Sequence, residues 1–595
     1  MWRNDKFIVR LCFILLAMVF WRGCYSFHLS YQEQFQLFMF TSDYWINKCM
    51  YPGGICEYIS EFLTQFYYSQ WLGSVIIVGL LVLIQWLTSQ LMLRKNDSDW
   101  YYLSYLPAVG AWAFLCDENN MLAGVISLLV VMLSAKGCLC IRHTFLRWGY
   151  ILLLTPFIYW IAGGLHWLFV ILAVTYELLV WKQRSLLCRF IVCLLLLCLA
   201  FIYPYIASEV LQYPFFRLMT GLGYYRFPTG IPFMGIAVCI LLCLTVIISA
   251  SVPVIKSERI NLIKVVQIAV LVVLGGVGIY LTSDYQKEQV MAYDYYVRTR
   301  QWNKVIDMAE KKHPTTPLEV VCLNLALGKT GQLGERMFHF YQNGVGGLMP
   351  NFIRDFNSPL IVNEVYYHLG MINTSQRFTF EAMEAIPSYQ KSVRCYQRLA
   401  ETNIVNGDYI LAGKYLKALQ HTLFYRKWAN DAMSYLYNDK KVQNHPEWGI
   451  LRTYLYKDDF LFFEDQKDMM LGLLLNANKH NRMAFEYLLA YELLDKNIGA
   501  FLKYYPLGKD MGYTSIPRSY QEALLYVWTQ QHPSFEGMPW SISPVLQKEV
   551  TDFAVAYVRH PSDRDYFKQN FGFIKALASN TNSLDGLDVH YLLFR

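Results

Sequence analysis

Up to about residue 282 the chain runs in long apolar stretches; beyond it the apolar residues are spaced among charges. Crossing a bilayer as a helix takes about 20 consecutive apolar residues. The runs predict nine spans, at 7–25, 72–93, 100–116, 120–138, 148–163, 165–181, 190–207, 230–250 and 265–282. The fifth and sixth come from one run, too long for one crossing, with a tight reversal expected at Gly163-Gly164. From Asp284 onward good helix formers dominate, Gly and Pro punctuate them, and no alternating strand pattern appears. Three stretches there read as helix pairs: one carries Trp302 and Ala309 before a Pro stop, one breaks at Gly331, and one turns at Gly407-Asp408 ahead of Ala412 and Tyr415. Their small-residue, Gly-turn and aromatic spacing echoes tetratricopeptide repeats. The expectation is therefore an all-α protein in two domains. Residues 1–282 form a polytopic membrane bundle with large loops at 26–71 and 208–229. Residues 283–595 form an α-helical, tetratricopeptide-like repeat domain.

Positive residues set the orientation. Arg3 and Lys6; Arg94 and Lys95; Lys136, Arg142 and Arg147; Lys182 and Arg184; and Lys256, Arg259 and Lys264 fall on alternate ends of the spans. The positive-inside rule makes those ends cytoplasmic. The amino terminus is then inside, and both large loops and everything after residue 283 are outside. The expected location is a bacterial inner membrane with a periplasmic carboxy-terminal domain. The first segment has a basic start and apolar centre, but "FWRGC" lacks the small residues of a cleavage site, so a retained signal anchor is expected.

Composition agrees with this picture: 55% of the residues are hydrophobic. Residues 1–282 hold 18 Lys and Arg against 12 Asp and Glu; subtraction from the totals of 52 and 45 leaves 34 against 33 for the rest. The basic excess belongs to the membrane half, which speaks for cytoplasmic loops and against nucleic-acid binding. Most of the fourteen cysteines lie inside apolar runs, as small hydrophobes. Cys49 and Cys56 flank Pro52-Gly53-Gly54 and could pair in an oxidising compartment.

Signatures of nucleotide binding, zinc proteolysis and serine hydrolysis are absent. Asp97–Asp99 and Asp563–Asp565 are read as solvated helix caps, His166 as a structural hydrogen-bonding group, and Glu177 as a partner of nearby cytoplasmic charge. The acidic residues of the first loop are the better chemical candidates. Glu33 follows the first span, Asp43 lies further on, and Phe35, Phe38 and Met39 suggest a helix in the membrane interface. Glu57 and Glu61, four residues apart, share one helical face, with Ile55, Ile59, Phe62 and Phe66 on another. In the second loop Arg217 and Arg226 are the only positive charges, set among Tyr213, Phe215, Phe216, Tyr224 and Tyr225.

With its cytoplasmic amino terminus, long acidic first loop and aromatic, Arg-bearing loop after the seventh expected span, the membrane half resembles the GT-C superfamily of membrane glycosyltransferases. That resemblance implies transfer of a sugar from a polyprenyl-phosphate carrier. Glu33 or Asp43 would be the catalytic base or a ligand of a divalent cation, Arg217 or Arg226 would hold the phosphate, and Glu57 and Glu61 would line the substrate site. "YPGGICEYISEFLTQFYYS", "LALGKTGQLGERMF" and "IPRSYQEALLYVW" resemble landmarks of an uncharacterised family of Bacteroidota membrane proteins. Two other readings stay open: a scaffold whose outer repeat domain binds envelope proteins, and a transporter.

Overall fold

The computed structural model describes the chain except for residues 1, 93–99, 182–183, 228–232, 252–259, 356, 388–389, 457–463 and 560–595. Asp97–Asp99, Asp563–Asp565, Arg94, Lys95, Lys182, Lys256 and Arg259 lie outside the described residues. Among the described residues the fold is helical, and β pairing is confined to an isolated bridge between Asn120 and Tyr225. The chain divides into two compact units. The first comprises Met1–Glu288 with Ile386–Arg394 and Lys417–Asn430; the second comprises Gln289–Ala385, Cys395–Leu416 and Asp431–Arg595.

The helices of the first unit are α1 (Trp2–Val19), α2 (Ser26–Gln34), α3 (Ser42–Cys49), α4 (Gly54–Thr64), α5 (Gln70–Leu91), α6 (Leu106–Leu115) and α7 (Leu122–Cys140), followed by α8 (Thr144–Ala162), α9 (His166–Leu179), α10 (Leu186–Leu211), α11 (Phe215–Thr220), α12 (Phe233–Ser251) and α13 (Ile260–Thr282). Seven described segments are long and apolar enough to cross a membrane: Asp5–Cys24, Gln70–Leu91, Leu122–Cys140, Thr144–Leu179, Leu186–Leu211, Phe233–Ser251 and Leu262–Thr282. Two differences separate these segments from the nine expected spans. The fifth and sixth expected spans fall within one 36-residue apolar segment, which turns at Gly163–Leu165 into the separate helices α8 and α9, as the Gly163-Gly164 reversal predicts. The third, 100–116, is a 3-10 turn over Tyr101–Tyr105 followed by the ten-residue α6, short of a bilayer's thickness.

The core of this bundle is built from apolar faces of α5, α6, α7, α8 and α9, including Leu81, Ile84, Ala108, Val131, Ile151, Phe169 and Leu172. Buried charge at one end is neutralised locally. Arg147 Nε and Glu177 Oε1 pair at 2.9 Å, each side chain 1% exposed, and the Arg147 guanidinium lies 3.9 Å from the Trp181 ring. Arg189 Nη1 donates to the Glu177 carbonyl at 3.0 Å. Glu177 thus pairs with a cation on α8, Arg147. His166 meets the carbonyls of Gly163 and Ala200 at 3.1 and 3.0 Å, a structural bond as expected.

The opposite end carries the loops, and the first differs from the expected interfacial helix. Helix α2 ends at Gln34 and is buried on nearly every side, Glu33 and Gln34 included. A polar helix can be buried only if its polar groups find partners. Gln32 Nε2 donates to the Glu118 carbonyl at 2.6 Å, and Ser392 Oγ donates to the Gln34 carbonyl at 2.7 Å. The amides of Phe27 and His28, orphans at the start of α2, donate to the Glu288 carboxylate at 2.7 and 2.9 Å. Phe35, Leu37 and Phe38 follow as buried, non-helical chain, with the Leu37 and Phe40 amides bonded to the carbonyls of Lys391 and His421.

The second unit packs helix pairs around a continuous apolar core. Trp302–Lys311 lies against Pro317–Lys329, Ser358–Leu369 against Ile372–Ala385, and Lys467–Ala477 against Arg482–Leu494. The breaks read from the sequence at Gly331 and Gly407 stand between helices, and Ala309 and Ala412 are fully buried. Thr316 and Glu319 form a reciprocal capping box at the start of Pro317–Lys329. One buried charge group, Arg398 with Glu364 at 2.6 Å and Glu401 at 2.8 Å, ties the helix Val393–Asn406 to Ser358–Leu369.

Candidate functional site

Helix α4 starts in the Pro52-Gly53-Gly54 turn. Gly53 caps it with φ +88°, and a Cβ on Gly54 would lie 1.7 Å from the Lys48 carbonyl oxygen. Only glycine lets the end of α3 come this close to the start of α4. From there α4 packs between α7 and α8 with its polar face inward. Glu57, Ser60, Glu61 and Thr64 are buried, while Ile59 on the opposite face is exposed. The polarity of α4 is thus inverted relative to a helix lying on a water-facing surface. Glu57 and Glu61 do share one face, and that face is turned into the protein.

Two carboxylates buried side by side repel each other, and α3 supplies the compensation. Lys48 Nζ lies 2.6 Å from Glu57 Oε1 and 2.9 Å from Glu61 Oε1. Tyr51 OH donates to Glu57 Oε2 at 3.0 Å, and Tyr44 OH donates to Glu61 Oε2. Burial works to lower the Lys48 pKa, but Glu57 and Glu61 outweigh it and hold the ammonium well above the ordinary lysine value. Burial, then the charge of Glu57, pushes the Glu61 carboxyl up against the opposing pull of Lys48. Burial and the neighbouring carboxylates also raise both phenols, Tyr44 beside Glu61 and Tyr51 beside Glu57. The group is one ammonium shared by two carboxylates and flanked by two phenols, a set that can accept, hold and hand on a proton.

The second loop closes over this group. A Cβ on Gly223, at φ +75°, would lie 2.5 Å from Glu57 Oε2, so backbone there runs directly against the carboxylate. The strand of chain beyond it is pinned by the Met121 amide to the Tyr224 carbonyl at 2.8 Å and by the Arg226 amide to the Asn119 carbonyl at 2.7 Å.

The other expected site residues lie in separate surroundings. Glu33 is 2% exposed and accepts from Tyr425 OH at 2.9 and 3.1 Å through its two oxygens. Asp43 is exposed in the first turn of α3. Arg226 is buried with its guanidinium 4.6 Å from the Phe35 ring and 5.6 Å from that of Tyr31. Arg217 is half-buried on α11. Cys49 and Cys56 are free thiols. Among the described residues no three His, Cys, Asp or Glu side chains group closely enough to hold a metal ion.

A family model matches residues 2–573 and describes a family of unknown function, DUF6057. The chain belongs to that family. Compared with the curated proteins and with the solved structures, it finds no match. For a DUF6057 chain the chemistry therefore has to be read from the site itself. Lys48, Tyr44 and Tyr51 are the members of the cluster that sequence reasoning missed. Their signal was there: Lys48 is the only Lys or Arg between Arg22 and Arg94, set in a loop with four acidic residues.

Proposed function

We propose that this DUF6057 protein is a membrane-embedded transferase of the glycosyltransferase kind, taking a sugar from a polyprenyl-phosphate carrier at the loop end of its bundle. The observation that carries the reading is the buried Glu57–Lys48–Glu61 group, enclosed between α3, α4 and the Gly223 backbone. Structural helices gain nothing from two buried carboxylates in contact with one ammonium, because desolvation offsets the attraction. A transferase gains a base: burial raises the proton affinity of Glu61, which suits it to take the proton of an acceptor hydroxyl. The deprotonated oxygen attacks the anomeric carbon, the bond from that carbon to the phosphate oxygen breaks, and the carrier leaves as its phosphate. Lys48 pairs with the second carboxylate, Glu57, and Arg217 stands in the adjacent loop as a candidate to meet the departing phosphate. The loop end faces the periplasm in this reading, as the positive-inside pattern requires, and the second unit is an outer helical-repeat domain.

The first prediction tests it. Glu57→Gln and Glu61→Gln, each made in the native host, are expected to lower transfer by about 10²-fold or more, the range of general-base removal, with the protein still folded and inserted. Envelope glycan profiles are the readout. Unchanged profiles in both variants would sink the transferase and favour the non-catalytic scaffold.

A further inference from the structure

Beside the charged group lies a cavity of about 720 Å³ among α7, α9, α10 and α12. Its volume is within the range of about 300–1,000 Å³ that small-molecule sites occupy. Its walls are almost wholly apolar, with Leu128, Leu168, Val238 and Cys239 among them. Water gains nothing in such a space, since it finds no partners there. An empty space of this size would forfeit van der Waals contact along its whole lining, so an apolar guest is favoured.

Where the guest comes from follows from the exposure of the lining. Phe201 on α10 and Ile236, Ile240 and Leu244 on α12 face the cavity and are also 46–52% exposed. The cavity therefore opens sideways between helices long and apolar enough to cross a membrane, where the surrounding medium is lipid. Among the described residues its polar edge is at the loop end, where Tyr225 OH donates to Thr220 Oγ1 at 3.0 Å. Tyr224 lines this same edge and directly follows Gly223, whose backbone touches the Glu57 carboxylate.

We propose that this cavity seats the single hydrocarbon chain of the polyprenyl carrier, entering sideways between α10 and α12 with its phosphate end at Thr220–Tyr225. The identity of the chain rests on the transferase reading; the seat rests on the cavity. A polyprenyl phosphate has one chain and a bulk phospholipid two, and the lining offers one undivided space with a polar edge. A guest seated this way brings its reactive end to the loop that covers Glu57, which a bulk lipid has no reason to do.

The test uses the full-length protein in nanodiscs and two probes with a diazirine in the stretch of hydrocarbon next to the phosphate, a polyprenyl phosphate and a phospholipid. The polyprenyl probe is expected to label the peptides covering 215–225 and 233–251, to saturate at one per chain and to be displaced by unlabelled polyprenyl phosphate. Cys239→Phe with Cys243→Phe narrows the space and should cut labelling at least tenfold with an unchanged melting temperature. Should that pair fail to fold, Leu128→Phe replaces it. Equal labelling by the phospholipid probe, or wild-type labelling of the narrowed variant, overturns the proposal. The two readings fail separately. If Glu57→Gln loses its glycan product while the wild type takes up no polyprenyl probe, the seat falls alone. If the probe binds as described but neither glutamate variant changes the glycans, the transferase falls and the seat stands.

Discussion

Glu33 shows how far a residue's role depends on its surroundings. By position alone it is a carboxylate just past the first apolar run and a natural base. In the folded chain it is buried beneath a phenol 392 residues away. Tyr425 is itself held by ring contacts with Tyr68, at 5.6 Å. A buried carboxylate that loses one of its donors keeps its desolvation penalty with less to offset it. Tyr425→Phe is therefore expected to lower stability by about 1–3 kcal/mol, measurable by denaturant unfolding in detergent, while leaving the Glu57–Lys48–Glu61 group in place. Glu57 and Glu61 were legible as a pair because helical spacing is local. That the pair would be buried was not legible, since the apolar stripe opposite them suggested the reverse orientation.

At the scale of elements, the packing of helix ends decides where charge can be buried. Helices α8 and α9 bring Arg147 and Glu177 together across 30 residues. Removing one partner of such a pair leaves the other charge buried alone, at a cost of about 3–5 kcal/mol. Arg147→Met should therefore destabilise the bundle strongly, and adding Glu177→Gln should recover much of the loss; thermal unfolding of the single and double variants checks both. Element boundaries were readable wherever glycine or a long apolar run marked them, as at Gly163-Gly164, Gly331 and Gly407. Boundaries set by tertiary pairing were not. The end of α2 at Gln34, where the chain turns to bond Lys391 and His421, has no local signal that composition could reveal.

For the whole molecule, pH dependence is a property to which both units contribute. In the first unit, burial pushes the Glu288 carboxyl up to about 8, against the two backbone amides that favour its charge. In the second, burial and then Asp468 and Asp495 push Glu492 up to about 7. An unfolded chain releases these protons near pH 4.3. Because the folded state holds them longer, stability should fall as pH rises from about 4.3 toward 7, and toward 8 for Glu288. Glu492→Gln should flatten the lower part of that decline, as read by melting temperature across the pH range. A profile unchanged by the substitution would mean that Glu492 ionises normally in the folded chain.

The sequence by itself determined what repeats along the backbone. Bilayer-length apolar runs, the all-helical class, the glycine turns and the common face of Glu57 and Glu61 follow from composition and from a period of 3.6 residues. Only the tertiary structure decided which face of α4 points inward and that Lys48 is shared by both carboxylates. It also decided that Glu33 is covered by Tyr425, and that Ile386–Arg394 and Lys417–Asn430 join the first unit. The reason is that periodicity constrains neighbours in sequence. The partner of a buried charge and the walls of a cavity are chosen by helices packing across hundreds of residues, and no local pattern records that choice.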